Sequence, residues 1–257
     1  MPPILLERQG RTATLTLHRP PLNILDLEMM AALSEALAEL EKEDSGDVPT
    51  VVFLRGAGER AFSAGVSVQD HTPDKIESML AGLHGAIHRL RRLPAIVVAA
   101  VSGHCLGGGM ELALACDLVI ATADARFGQP EIDLGCFPPV AAALYPARLG
   151  AGRTMAMLAL GQPFDAVEAE RLGLVQRLLP AGGLAEGCRQ LAAELEAKSA
   201  AVLRLTKKAV AAGRELPFEP ALAAAERVYL DELAATDDMR EGIAAFLEKR
   251  RPAWSHR

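Results

Sequence analysis

The chain opens on two short stretches in which apolar and polar residues alternate. They are Ile4–Gln9 and then Thr12–His18, where Thr14, Leu15, Thr16 and Leu17 alternate. A Gly10-Arg11 turn separates them, so the pair predicts a β-hairpin. Arg19-Pro20-Pro21 breaks the second strand. Asp26 then caps a predicted helix running to about Glu43, with Leu27, Met30, Leu33, Leu37 and Leu40 on one face. Thr50–Arg55 is a compact apolar run of the buried parallel-strand kind. A loop rich in Gly and Ala follows, from Gly56 to Val68. Thr72-Pro73-Asp74 predicts the start of a second helix, with Pro73 in its first turn and Ile76, Met79, Leu80, Leu83, Ile87 and Leu90 inward. Ala95–Val101 reads as a further buried strand, Gly107-Gly108-Gly109 opens a helix through Cys116, and Leu118–Ala121 is a strand again. Strand and helix in alternation predict an α/β fold built on a parallel sheet. From Pro138 onward the pattern is helical apart from Leu174–Leu178. Helices near 182–197, 199–213, 218–233 and 237–249 form a separate layer or arm.

Composition changes this picture little. Aromatic residues are only 4% of the chain, so most of the core must be Leu, Ala, Val and Ile. A net charge of −6 argues against a general nucleic-acid binder while leaving room for a local basic pocket. Met1-Pro2-Pro3-Ile4 lacks a signal-peptide pattern, and no run of about 18 apolar residues marks a membrane span. The cytoplasm is the expected location. Cys105, Cys116, Cys136 and Cys188 lack metal spacing and read as reduced core residues.

Candidate chemistry gathers in two loops that follow buried strands: Phe62-Ser63-Ala64-Gly65-Val66 and Gly103-His104-Cys105-Leu106-Gly107-Gly108-Gly109. Small residues there let a ligand approach the main chain, and a helix start aims free N–H groups at an oxyanion or a phosphate. Neither GxGxxG nor GxxxxGK[ST] occurs, so nucleotide-phosphate cradles are not supported. Glu111 stands alone in an apolar helical run, a costly place for a carboxylate without a role. Its plain alternative is a first-turn residue favoured by the helix dipole. Glu131, in Phe127-Gly128-Gln129-Pro130-Glu131-Ile132, reads by itself as a solvated loop carboxylate. Two such groups around one site can hold a water and divide acid and base work. His84 and His88, four apart on a helix, have the spacing of a metal pair but show no third ligand, so no metal is expected. His71 and His104 are candidates for pocket lining. Ser63 and Ser67 lack a His/Asp partner for a nucleophilic triad.

Ala61-Phe62-Ser63-Ala64-Gly65 and Ser102 through Asp117 closely resemble the two signature loops of the enoyl-CoA hydratase/isomerase (crotonase) superfamily. Phe127-Gly128-Gln129-Pro130-Glu131 resembles its second acidic motif, and the likeness runs from Arg19-Pro20-Pro21-Leu22-Asn23 to Glu241–Pro252. The resemblance implies a crotonase-like spiral of ββα units over residues 1–190 and a C-terminal helical trimerisation region over 191–257. A homotrimer or homohexamer follows from it. It implies an acyl-CoA hydro-lyase with catalytic Glu111 and Glu131, an oxyanion hole from the N–H groups of Val66 and Gly108, and no cofactor beyond the coenzyme A of the substrate. Ala64, Gly65, Ser67, Leu25, Phe137 and Pro138 would contact CoA or the acyl group. Isomerases of the family commonly keep only the second glutamate, so having both favours hydration. Some crotonase-like proteins act as binding or scaffold proteins, RNA binding included, and the acidic balance here argues against that role.

The chain departs from the family pattern twice. Ala64-Gly65-Val66-Ser67 replaces the familiar Ala-Gly-Ala-Asp, and Phe137-Pro138-Pro139-Val140-Ala141-Ala142 replaces a glycine-rich stretch. Main-chain donation survives the first change, whereas the second reshapes the acyl pocket. The combination resembles the cyclohexa-1,5-diene-1-carbonyl-CoA hydratases of anaerobic aromatic degradation. A short linear enoyl thioester, as in fatty-acid metabolism, is the alternative substrate, and double-bond isomerisation the alternative reaction.

Overall fold

The computed structural model describes residues 1–41, 48–214 and 216–256. The hairpin forms as expected: β1 (Ile4–Gln9) pairs antiparallel with β2 (Thr12–Leu17), from Ile4 opposite Leu17 to Gln9 opposite Thr12. Gly10 turns the chain at φ 57°. β2 then pairs in parallel with β3 (Val51–Gly56), which pairs with β5 (Ile96–Val101), β7 (Leu118–Thr122) and finally β10 (Arg177–Leu179). Among the described residues this sheet has the order β1-β2-β3-β5-β7-β10. Its inner strands β3, β5 and β7 are buried on both faces, which explains their continuous apolar runs. Val52 and Leu54 enter the main core, while Val51 and Phe53 join a second cluster on the opposite face.

A second sheet escapes the periodicity reading. β4 (Ala61–Ser63), β6 (His104–Leu106) and β8 (Arg126–Gly128) run parallel, with β9 (Phe164–Asp165) antiparallel at the edge. Strands of two or three residues are too short to show a period of two. β4, β6 and β8 each follow a long strand and precede a helix: β3-β4-α2 (Ile76–Arg92), β5-β6-α3 (Gly108–Ala115) and β7-β8-α4 (Pro139–Leu149). This is the ββα spiral that the resemblance implied.

The helices form near their expected places. Asp26 caps α1 (Leu27–Leu40) by accepting from the Met29 N–H at 2.8 Å. Its buried stripe uses Met29 where Leu27 was expected. Lys42 and Glu43, the predicted end, lie outside the described residues. α2 starts at Ile76 and not at Thr72, because the Thr72 carbonyl accepts from both Lys75 and Ile76 in a leading turn that holds Pro73. The strand expected at 174–178 lies three residues later. Gly173, at φ 74°, ends the turn after α6 (Ala166–Arg171) and sends Leu174 and Val175 into the core.

After α5 (Ala151–Leu160) and α6, α7 (Leu184–Glu196) packs on the large sheet through Leu191. A division at 190 therefore runs through a helix of the core. α8 (Ala200–Gly213), α9 (Phe218–Arg227), a π-helical segment over Val228–Glu232 and α10 (Asp237–Leu247) complete the chain. Among the described residues no helix is long and apolar enough to cross a membrane.

Candidate active site

The two small-residue loops meet at a cavity of about 400 Å³. The first leaves β4 as Ala64-Gly65-Val66. It is pinned on both sides of Val66, because Leu25 N–H donates to the Gly65 carbonyl and Ser67 N–H donates to the Leu25 carbonyl, both at 3.0 Å. The second turns at Gly107, whose φ of 53° and ψ of −132° lie outside the regions open to L side chains. A Cβ at Gly107 would lie 2.6 Å from the Glu131 Oε1, and one at Gly108 would lie 2.6 Å from the Val66 Cγ2. The glycines are there because a carboxylate and a neighbouring loop fill the space a side chain would need.

Pinned in this way, the loops leave two donors unused. Among the described residues neither the Val66 N–H nor the Gly108 N–H has a hydrogen-bond partner. The same hypothetical Cβ of Gly108 would sit 3.6 Å from the Val66 nitrogen, so the two loops are in direct apposition. Gly108 also begins α3, where the helix dipole adds positive potential. A developing oxyanion is the charge that such a pair stabilises.

Glu111 is the fourth residue of α3 and only 2% exposed. Its Oε1 accepts from the Ala141 N–H at 2.8 Å. Ala141 is in the first turn of α4, whose N–H groups lack helical partners, so Glu111 caps a neighbouring helix. Pro139 opens that helix at the position where a missing N–H costs nothing. Burial pushes Glu111 up to about 7; the Ala141 and Val140 N–H groups oppose this and the charge of Glu131 adds to it.

Glu131 stands in the first turn of a 3-10 helix, Pro130–Leu134, and is half-buried and not solvated as its loop setting implied. Burial raises its pKa, while its own backbone N–H and the nearby His71 oppose the rise. Its carboxylate is further held by Gln129, which is fully buried. The Gln129 amide is assigned with nitrogen toward Glu131, donating to Oε2 at 3.0 Å and Oε1 at 3.2 Å. Its oxygen then accepts from the buried Tyr145 hydroxyl at 2.6 Å. Neither residue was singled out from sequence. A glutamine two before Glu131 and a lone tyrosine in an apolar helix were the available signals.

Ala64, Gly65, Val66, Gly108, Glu111, Glu131, Phe137 and Pro138 all line the cavity. Leu25 and Ser67 do not. Leu25 is fully buried and hydrogen-bonded to the Ala64-Gly65-Val66 loop, and Ser67 spends its N–H on Leu25 and its carbonyl on His71. Both hold the loop from outside. His71 lines the cavity, whereas His104 is exposed on β6 away from it. Ser63 is buried with its hydroxyl accepting from the Gly65 N–H at 3.1 Å, a loop-bracing role. Cys105 and Cys116 are core thiols, but Cys136 stands half-buried in the cavity wall. Among the described residues no group of three His, Cys, Asp or Glu is placed to hold a metal ion, His84 and His88 included.

An apolar cavity with two buried-side carboxylates and two free N–H groups can polarise a carbonyl and move a proton beside it. The chain matches the enoyl-CoA hydratase/isomerase family model over residues 7–257. It is 38% identical to a cyclohexa-1,5-dienecarbonyl-CoA hydratase of Thauera aromatica, covering 98% of this chain and 96% of that one. It is 36% identical to a probable enoyl-CoA hydratase of Mycobacterium bovis over 99% and 98% of the two chains. The crystal structure of an enoyl-CoA hydratase subunit from Geobacillus kaustophilus superposes with a TM-score of 0.91 at 33% identity, covering 99% of this chain and 98% of that one. The chain belongs to the enoyl-CoA hydratase/isomerase family and has the crotonase fold.

Proposed function

We propose that this protein adds water to an α,β-unsaturated acyl-CoA thioester, with cyclohexa-1,5-diene-1-carbonyl-CoA as its acyl substrate. It is an enzyme of the enoyl-CoA hydratase type, a hydro-lyase. The observation that carries the reading is the meeting of two unpartnered N–H groups and two carboxylates in one apolar cavity. The thioester oxygen would accept from Val66 and Gly108, so that charge arriving there as water attacks the β-carbon is stabilised. Glu111 and Glu131 would hold the attacking water. Its oxygen bonds to carbon, one proton passes to a carboxylate, and carbon receives a proton in return, so the product gains one water and no cofactor is consumed.

The cyclic substrate is supported by where the departures from the family pattern lie. Val66, Phe137 and Pro138 all form the cavity wall. Met79, Leu80 and Leu83 of α2 line it as well, giving a compact apolar space suited to a ring. The likeness to the Thauera aromatica hydratase points the same way. Exposed Phe218, Leu222, Leu230, Ile243, Phe246 and Leu247 in the C-terminal helices support assembly as a homotrimer or homohexamer. Turnover of crotonyl-CoA and the cyclic dienoyl-CoA side by side, read by product mass, tests the substrate. Gain of water mainly on the cyclic diene is expected, and preference for crotonyl-CoA would make the protein a short-chain hydratase instead. Products of unchanged mass would indicate an isomerase.

A further inference from the structure

A second cavity, of about 390 Å³, shares no lining residue with the one that holds the two glutamates. It lies where four strands of the large sheet end. His18 follows β2, Arg55 and Gly56 close β3, Ser102 follows β5 and Thr122 closes β7. These strands run parallel, and ligands of such sheets usually lie beyond their carboxyl ends. Alternation along each strand puts Arg55 on the face of Phe53 and Thr122 on that of Ile120, the side covered by α7 and not the main core. Leu184 and Ala185, in the first turn of α7, line the cavity as well. Gly183 before them gives no side-chain cap, so the N–H groups of that turn lack helical partners and its positive end borders the cavity.

The side chains of this cavity point the same way. Thr122 is only 1% exposed, yet its hydroxyl has no hydrogen-bond partner among the described residues. The buried Nδ1 of His18 has none either. Buried polar atoms are rarely left so in a packed fold, and an acceptor brought by a ligand satisfies the Thr122 O–H. Arg55 is held at the wall, its Nε donating to the Thr16 Oγ1 at 3.0 Å and its Nη2 lying 3.6 Å from the exposed Glu7. Glu186, the acid of the first turn of α7, is paired with Arg189 and Gln190. Glu59 and Asp124 also line the cavity but are exposed, so a small anion is favoured there over a polyanion. We infer that this cavity binds a phosphate-sized oxyanion, held by the first-turn N–H groups of α7, the Arg55 guanidinium and the Thr122 hydroxyl. The site stands apart from the hydratase reading and does not depend on it.

The test is calorimetric titration of inorganic phosphate into the full chain, in chloride buffer of matched ionic strength, with Thr122→Val and Arg55→Gln beside it. Val replaces the hydroxyl by a methyl of the same shape, and Gln keeps a donor for Thr16 without the charge, so a folding failure in one leaves the other to report. The unmodified protein should bind phosphate saturably and melt at a higher temperature in its presence. Each variant should bind it about tenfold more weakly or worse. Without phosphate, Thr122→Val should melt no lower than the unmodified protein, since the hydroxyl it removes has no partner among the described residues. Binding of crotonyl-CoA on the same preparations should be unchanged by either substitution and by phosphate. Absence of phosphate binding overturns the inference, and so does an isotherm that is the same in all three proteins. Displacement of crotonyl-CoA by phosphate also overturns it, because the anion would then sit in the acyl-CoA site.

Discussion

Replacing Glu111 by Gln should make the protein more stable at alkaline pH and nearly inactive at every pH. Glu111 is 2% exposed, and burial raises its pKa from 4.5 to about 7. A carboxyl with a raised folded-state pKa binds its proton more tightly folded than unfolded. Stability therefore falls as pH rises from the unfolded value through the folded one. Below pH 4.5 the group is neutral in both states and costs nothing. At pH 5 the cost is about 1 kcal/mol, and above pH 7 it approaches about 3 kcal/mol, from roughly 2.5 pKa units at 1.36 kcal/mol each. Gln keeps an oxygen for the Ala141 N–H, so the cap on α4 survives while the charge is removed. Urea unfolding of both proteins at pH 5 and pH 8, at one protein concentration, measures the difference. The variant should gain about 2 kcal/mol more at pH 8 than at pH 5. A stability difference independent of pH would show that Glu111 is not a desolvated, proton-holding group, and the acid–base role argued for it would fall.

Gly107→Ala places a methyl on a left-handed backbone and 2.6 Å from the Glu131 carboxylate. Displacing that group should lower kcat by about a hundredfold with the melting temperature reduced, as steady-state kinetics and calorimetry would show. Val66→Pro deletes an N–H without a hydrogen-bond partner among the described residues, so kcat should drop by about 10²–10³ in steady-state turnover while acyl-CoA still binds. Asp238 is 1% exposed and accepts from Ser199, from the Ser255 hydroxyl and N–H, and from the His256 N–H, tying the C-terminal tail to the start of α8. Asp238→Ala removes the acceptor these donors share, and thermal unfolding should show a loss of about 3 kcal/mol.

What was legible in the chain and what was not divide on physical grounds. The large sheet was visible because doubly buried parallel strands are continuous apolar runs, and α1 because Asp26 caps an apolar stripe of helical period. Glu111 stood out as a lone acid in an apolar helix. The second sheet was not visible from pattern, since its strands last two or three residues and are held by position in the spiral. Glycine content marked both loops but not the reason for it. That Gly107 makes room for Glu131, and Gly108 for Val66, is a contact between segments far apart in sequence. The same holds for Glu111 capping α4 and for Tyr145 fixing Gln129, which only the packed structure joins. Leu25 and Ser67 are a different case: as motif neighbours of Val66 they bind its loop by main-chain hydrogen bonds and are not among the residues around this cavity.

The most direct test of the two-carboxylate site is the rate of water addition by Glu131→Gln and by Glu111→Gln, measured with acyl-CoA binding on the same preparations. The account predicts a fall of about 10²–10⁴ in kcat for each, with binding largely intact. Full activity in either variant would contradict it.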